Sequence, residues 1–242
     1  MLRGKDVRPL RMRKRHNLEP RMERCKEYLV EEPEKNKGTW RRQERSLQLE
    51  IGCGKGSFTC MLGAAEPEND LIAIEKVPDA MILAMERAKN EQLKNIRFLD
   101  YDAAKLREIF VPGEIDRIYI NFCDPWPKSR DAKFRLTAPS FLRIYADLLP
   151  EGGEVRFKTD NGPLFEWSLE QFKAEGWTIE TQTWNLHENG VQGILTDYER
   201  RFMDEGIPIK QLIAIRNRNT TDGRAGEPER LRNAALSDAR EC

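Results

Sequence analysis

Leu49-Glu50-Ile51-Gly52-Cys53-Gly54-Lys55-Gly56-Ser57 reads as the end of an apolar strand, a turn with glycine at every second position, and the start of a helix. Glycine in such a turn permits positive φ and lets a ligand come close to the backbone. The spacing excludes two phosphate-binding patterns. A GxGxxG dinucleotide fingerprint needs glycine where Ser57 stands, and a GxxxxGK[ST] loop needs it where Leu49 stands. Glu50 also sets a negative charge two residues before the first glycine, which opposes a pyrophosphate and welcomes a cation.

Outward from this turn, apolar runs alternate with amphipathic ones, the pattern of a parallel sheet with crossover helices. Strands are expected over Leu47 to Gly52, Leu71 to Glu75, Ile96 to Leu99, Ile115 to Phe122, Glu154 to Lys158, Thr178 to Leu186 and Ile209 to Ile215. Helices fit between them over Phe58 to Ala65, Val77 to Gln92, Ala103 to Ile109, Thr137 to Leu149 and Pro163 to Glu175, with Pro150-Glu151-Gly152-Gly153 as a strong stop. The last interval is longer and carries a helix over Thr196 to Glu205 before the final strand.

The chain has 242 residues, enough for one α/β domain with tails. Its 41 basic and 41 acidic residues cancel, so affinity for nucleic acid has to come from uneven placement of charge. Residues 1 to 24 supply that unevenness, with nine Lys or Arg against three acids. Residues 1–37 therefore read as a basic, partly flexible arm, 38–216 as the folded domain and 217–242 as a flexible tail. The sequence lacks a run of apolar residues long enough for a membrane span or signal peptide, so a cytoplasmic protein without membrane attachment is expected. Five cysteines without a CxxC pair, and two histidines, argue against a disulfide framework and against a metal site. The arrangement expected is a monomer or homodimer without an obligatory partner protein.

Acids recur at strand ends. Glu75 closes the second strand 23 residues beyond Gly52, the interval at which a carboxylate reaches ribose hydroxyls. A ribose beside a cationic group suggests S-adenosylmethionine. Asp102, after the third strand, is placed for an adenine amino group or for capping the following helix, with Asp100 as its neighbour. The fourth strand runs into Asn121-Phe122-Cys123-Asp124-Pro125-Trp126-Pro127-Lys128, where the two prolines fix a stiff loop that holds a carboxylate, an indole and an ammonium together. Trp126 reads either as a stacking surface for an extruded base or as a packing wedge.

Four segments together resemble the bacterial single-subunit tRNA (guanine-N7)-methyltransferases. They are Glu50 to Gly56, Asn121 to Lys128, Phe157-Lys158-Thr159-Asp160-Asn161 and Thr196-Asp197-Tyr198-Glu199. The resemblance covers about Gly38 to Arg216 and implies a Rossmann-like class I methyltransferase fold, with a seven-stranded, mostly parallel sheet and helices on both faces. It implies methyl transfer from S-adenosylmethionine to N7 of the variable-loop guanine of tRNA. Glu50, Gly52, Gly54, Gly56, Glu75, Asp102 and Asp124 would bind the cofactor. Lys128, Asp160, Thr196, Asp197, Tyr198 and Glu199 would meet the guanosine, and Arg130, Lys133 and Arg135 the RNA. Within that last stretch the chain departs from the family pattern, with Asp131 in place of His and Phe134 in place of Arg.

Guanine N7 carries a free lone pair, so its attack on a sulfonium methyl needs no base, and Asp124 is expected to act by alignment and charge. Lys128 suits guanine O6 or a phosphate and Asp160 suits guanine N1 or N2, although each also reads as an ordinary loop lysine or helix cap. Thr196-x-x-Glu199 is equally a capping box. Two rival readings are an exocyclic-amine methyltransferase and a non-catalytic RNA-binding protein of the same fold.

Overall fold

The computed structural model describes residues 17–42 and 44–220. Seven strands, β1 (Leu47–Ile51), β2 (Asp70–Ile74), β3 (Ile96–Leu99), β4 (Arg117–Asn121), β5 (Glu154–Thr159), β6 (Thr178–Thr183) and β7 (Lys210–Ile215), form one sheet in the order β3-β2-β1-β4-β5-β7-β6. β1 to β5 pair in parallel and β7 runs antiparallel between β5 and β6. Each expected strand is found. Ends differ by a few residues, most at Thr178 to Leu186, where β6 stops at Thr183.

Side-chain parity sorts the sheet into two apolar layers. Leu47, Leu49, Ile51, Ile118, Ile120, Val155 and Phe157 face one side, under α4 (Leu106–Ile109), α5 (Pro139–Leu148) and α6 (Gly162–Ala174). Leu71, Ala73 and Tyr119 face the other, under α2 (Ser57–Ala65) and α3 (Pro78–Asn90). Alternation then directs Glu50, Asn121 and Lys158 to this second side at the carboxyl ends of their strands. Three polar groups that the sequence scatters over 108 positions (50 to 158) thus share one end of one face.

The turn after β1 is built as its glycines demand. Gly52, Gly54 and Gly56 have φ of 78°, 55° and 73°. Gly56 serves packing, because a Cβ there would stand 2.5 Å from the Ala84 Cβ on α3. A Cβ on Gly52 or Gly54 would meet nothing within 4 Å, which leaves an open cradle.

The arm differs from expectation from Asn17 onward. α1 (Leu18–Arg24) lies along α3, where Arg21 makes a two-point contact with Glu86 at 2.7 and 2.5 Å. Cys25 and Tyr28 are buried, and Val30 N donates to Phe98 O at 3.0 Å, so the segment docks against β3. Trp40 Nε1 donates to Ile109 O at 2.7 Å and closes the lower edge. Residues from Leu18 onward, ahead of Gly38, are therefore packed against the domain. Their few apolar anchors are spaced among charges, which hides them from a composition reading. Arg3 to Arg15 lie outside the described residues, as does most of the C-terminal tail.

Candidate active site

A cavity of about 750 Å³ opens where β1 and β4 part, the point at which the crossovers turn in opposite directions. Such switch points at the carboxyl ends of parallel strands are where α/β sheets bind ligands. Glu50 lies on its floor, the glycine turn and the start of α2 form one wall, and α7 (Asp197–Asp204) forms the other.

Glu50 is 2% exposed. Thr59 Oγ1 donates to its Oε2, and Asn121 Nδ2 donates to Oε1 at 3.2 Å. Neutral donors do not offset the loss of water, so burial pushes the carboxyl up to about 7, while those two hydrogen bonds and distant Lys158 pull the other way. Ser57 Oγ is shielded, lines the same space and has no partner within the described structure. An acidic floor, an unpartnered hydroxyl and a glycine cradle suit a ligand with a cationic end and hydrogen-bonding groups.

Glu75 braces the cradle from behind. Its Oε2 accepts from Gly54 N at 2.8 Å and its Oε1 from Val77 N at 2.9 Å, which fixes the glycine turn against the exit of β2. Asp102 caps the short 3₁₀ turn after β3, accepting from Ala104 N at 2.9 Å, and pairs with Lys76 at 2.7 Å. The Lys76 ammonium, followed by the Ala104 amide, holds its carboxyl below the usual carboxylate range. Asp124 is exposed at the exit of β4, Lys128 is exposed on the loop beyond it, and Asp160 is half-buried at the exit of β5, its carbonyl accepting from Lys210 Nζ at 2.9 Å.

α7 starts with both halves of a capping box. Thr196 Oγ1 accepts from Glu199 N at 3.1 Å and Glu199 Oε2 accepts from Thr196 N at 2.9 Å. Thr196, Asp197 and Tyr198 line the cavity. Glu199 corrects the expectation placed on it. It is 0% exposed, and its other oxygen takes a 2.8 Å ion pair from buried Lys158, with His187 Nε2 at 3.7 Å. A carboxylate so enclosed holds α7 in place and has no face for a substrate. Phe122 completes the docking with φ of 53°, its ring 4.9 Å from Tyr198 and 6.2 Å from Phe202.

Arg135 is also spent within the protein. Its guanidinium donates to Pro125 O at 3.0 Å and to Trp126 O at 3.0 Å, and its carbon lies 4.3 Å from the Trp167 ring centre. It fixes the proline loop; Arg130 and Lys133 remain exposed on the turn that follows it. Four residues join the site without having been expected there: Asn121, Thr59, Lys158, and Arg87, which reaches Asp197 at 3.4 Å across the cavity mouth. Strand parity carries a signal for Asn121 and Lys158. For Arg87, on a long charged helix, no local signal exists.

Solved structures of 16S rRNA methyltransferase KamB (18% identical, TM-score 0.56, 72% of this chain and 89% of that one) and TrmN from Thermus thermophilus (23%, TM-score 0.51, 72% and 45%) share this fold. A family described as putative methyltransferase matches residues 44–212. Fold and acid-floored glycine cavity together define a class I methyltransferase. Among curated proteins, the tRNA (guanine-N(7)-)-methyltransferase of Lachnoclostridium phytofermentans is 42% identical over 197 residues (79% of this chain, 92% of that protein). The protein of that name from Listeria monocytogenes serotype 4b is 41% identical over 214 residues (86% and 100%). The chain belongs to the tRNA (guanine-N(7)-)-methyltransferase family.

Proposed function

We propose that this protein transfers a methyl group from S-adenosylmethionine to N7 of the variable-loop guanine of tRNA. The observation that carries the reading is the cavity at the β1/β4 switch point, with a buried carboxyl on its floor, in a chain of this family. S-adenosylmethionine supplies an electrophilic methyl on a cationic sulfur. Glu50, kept from ionising fully by burial, gains its charge when a cationic end settles near it. The Gly52 to Gly54 backbone accommodates close contact, and Glu75 holds that backbone while offering its remaining lone pairs to ribose. Asp102 stands ready for an adenine amino group at the edge of the sheet.

Asp124, Lys128 and Asp160 follow β4 and β5 beyond the cavity, the side from which a guanine would approach. Lys128 meets O6 or a phosphate and Asp160 meets N1 or N2. Thr196 to Tyr198 close the opposite side, with Glu199 and Lys158 holding them there. N7 would attack the methyl carbon through its lone pair as the carbon–sulfur bond breaks and its electron pair leaves on a neutral thioether, with no proton to remove, so the residues supply position and charge: Asp124 would offset the positive charge that moves onto the purine. Arg130 and Lys133, and the basic residues before Asn17, would neutralise phosphates.

Bulk tRNA incubated with labelled cofactor, followed by mapping of the modified nucleoside, tests the reading. The expected product is 7-methylguanosine in the variable loop. An N-methylated exocyclic amine, or cofactor binding without transfer to any tRNA, rules it out. Asp124→Ala should lower turnover by about 10²-fold or more with the fold intact, the usual effect of removing one charge-stabilising group.

A further inference from the structure

The loop that follows Asp124 carries a feature that neither the cavity nor the cofactor explains. Trp126 and Phe134 are 39% and 49% exposed, with ring centres 5.3 Å apart and planes inclined at 50°. Neither ring lines the cavity. Water-facing aromatic pairs are costly to leave bare, and the backbone holds this one outward. Trp126 has φ of 42°, a left-handed conformation that a bulky non-glycine residue adopts only under constraint. The constraint is visible: Pro125 and Pro127 flank it, and Arg135 holds the carbonyls of Pro125 and Trp126 while its guanidinium lies on Trp167.

Charge surrounds the pair. Lys133 Nζ lies 5.1 Å from the Phe134 ring centre, and Lys128 and Arg130 are exposed on the same loop. Aromatic faces interleaved with ammonium and guanidinium groups are the combination that binds an unpaired nucleobase with its phosphates.

We infer that Trp126 and Phe134 form a stacking platform for an unpaired nucleobase next to the methylated guanine, with Lys133 and Arg130 on its phosphates. This rests on the reading of the protein as a tRNA methyltransferase but assigns a separate subsite. The target guanine enters beside Asp124; its neighbour in the strand settles on the exposed rings, which would keep the extruded segment from falling back into the stack.

The test uses the full chain and tRNA transcripts that carry 2-aminopurine on one or the other side of the variable-loop guanine, since stacking on an aromatic ring quenches that base. Wild-type protein should quench one of the two positions. Phe134→Leu, which keeps apolar bulk on a turn with no buried residue, should restore the fluorescence and weaken tRNA binding by roughly 5- to 150-fold, the range for removing one ring from under a stacked base. Phe134→Tyr should retain both properties, and cofactor affinity should be the same in all three. Bright 2-aminopurine at both positions in a saturated complex, or equal tRNA affinity of Phe134→Leu and wild type, overturns the platform. If N7 methylation proceeds while both positions stay bright, the platform alone fails. If the platform quenches a base but no guanine N7 is methylated, the functional reading fails and the platform stands.

Discussion

Two buried glutamates lie close to the cavity, Glu50 on its floor and Glu199 within the helix that forms one wall, and they differ in what partners them. Among the described residues Glu50 accepts from a threonine hydroxyl and an asparagine amide alone. Glu199 has a lysine ammonium at 2.8 Å and the backbone amide of its own helix cap. Burial of a carboxylate costs several kcal/mol unless a cation accompanies it. Glu199 has its cation already and is saturated, which makes it a structural joint between β5 and α7. Glu50 has none, is pushed up to about 7, and can be completed by a cation from outside. A buried acid whose partner is missing is the better candidate for a ligand contact.

Breaking the saturated side should have the largest effect. Lys158→Ala leaves Glu199 buried without its partner and should destabilise the protein by about 3–5 kcal/mol, measured by urea unfolding with the wild-type m-value as a check. Glu50→Gln should do the reverse, with stability little changed or raised near pH 8 but cofactor affinity lowered by about 10- to 150-fold by calorimetry. If the two variants behaved alike, the contrast between the glutamates would disappear.

The pH dependence sharpens the same contrast. A carboxyl raised from 4.5 to about 7 favours the folded state in its neutral form. Its contribution is full below the unfolded value and disappears as pH rises through about 7. The unliganded wild type should therefore become less stable, on the order of 2–3 kcal/mol, between about pH 5 and pH 8, and Glu50→Gln should show a flatter profile over that window. Thermal unfolding at several pH values reads this directly. The smallest effect concerns the region outside both glutamates. Removal of residues 1–16, leaving α1 docked, should reduce the salt dependence of tRNA binding by about 0.7–0.9 in slope for each phosphate that those residues neutralise. An unaltered slope would show that residues 1–16 neutralise no phosphate and would leave that role to the folded part of the chain.

The succession of strands and helices along the chain and the glycine turn are legible in the sequence because apolar runs alternating with amphipathic ones, and glycines at a strand-to-helix turn, are local signals. So are Glu50 and the capping box at Thr196. The Lys158–Glu199 pair is not, because a lysine near a strand end reads as solvated until its partner, 41 residues away, is folded against it. Glu199 reads as a substrate contact for the same reason. The docking of Leu18 to Trp40 is hidden since its stability rests on a few spaced anchors, Cys25, Tyr28 and Trp40, within a charged stretch where Arg21 finds Glu86 and Glu27 finds Lys89 on α3. Charge alone makes Arg135 a phosphate contact, whereas its geometry makes it the clamp of the proline loop.

The role proposed for Glu50, an acid that a cationic cofactor completes, predicts a proton count. Titration of S-adenosylmethionine at about pH 6.5, in two buffers of different ionisation enthalpy, measures the protons exchanged on binding. Wild-type protein should release most of one proton, because Glu50 goes from mainly neutral to ionised, and Glu50→Gln should release far less. Equal proton release by the two proteins would contradict the role assigned to Glu50.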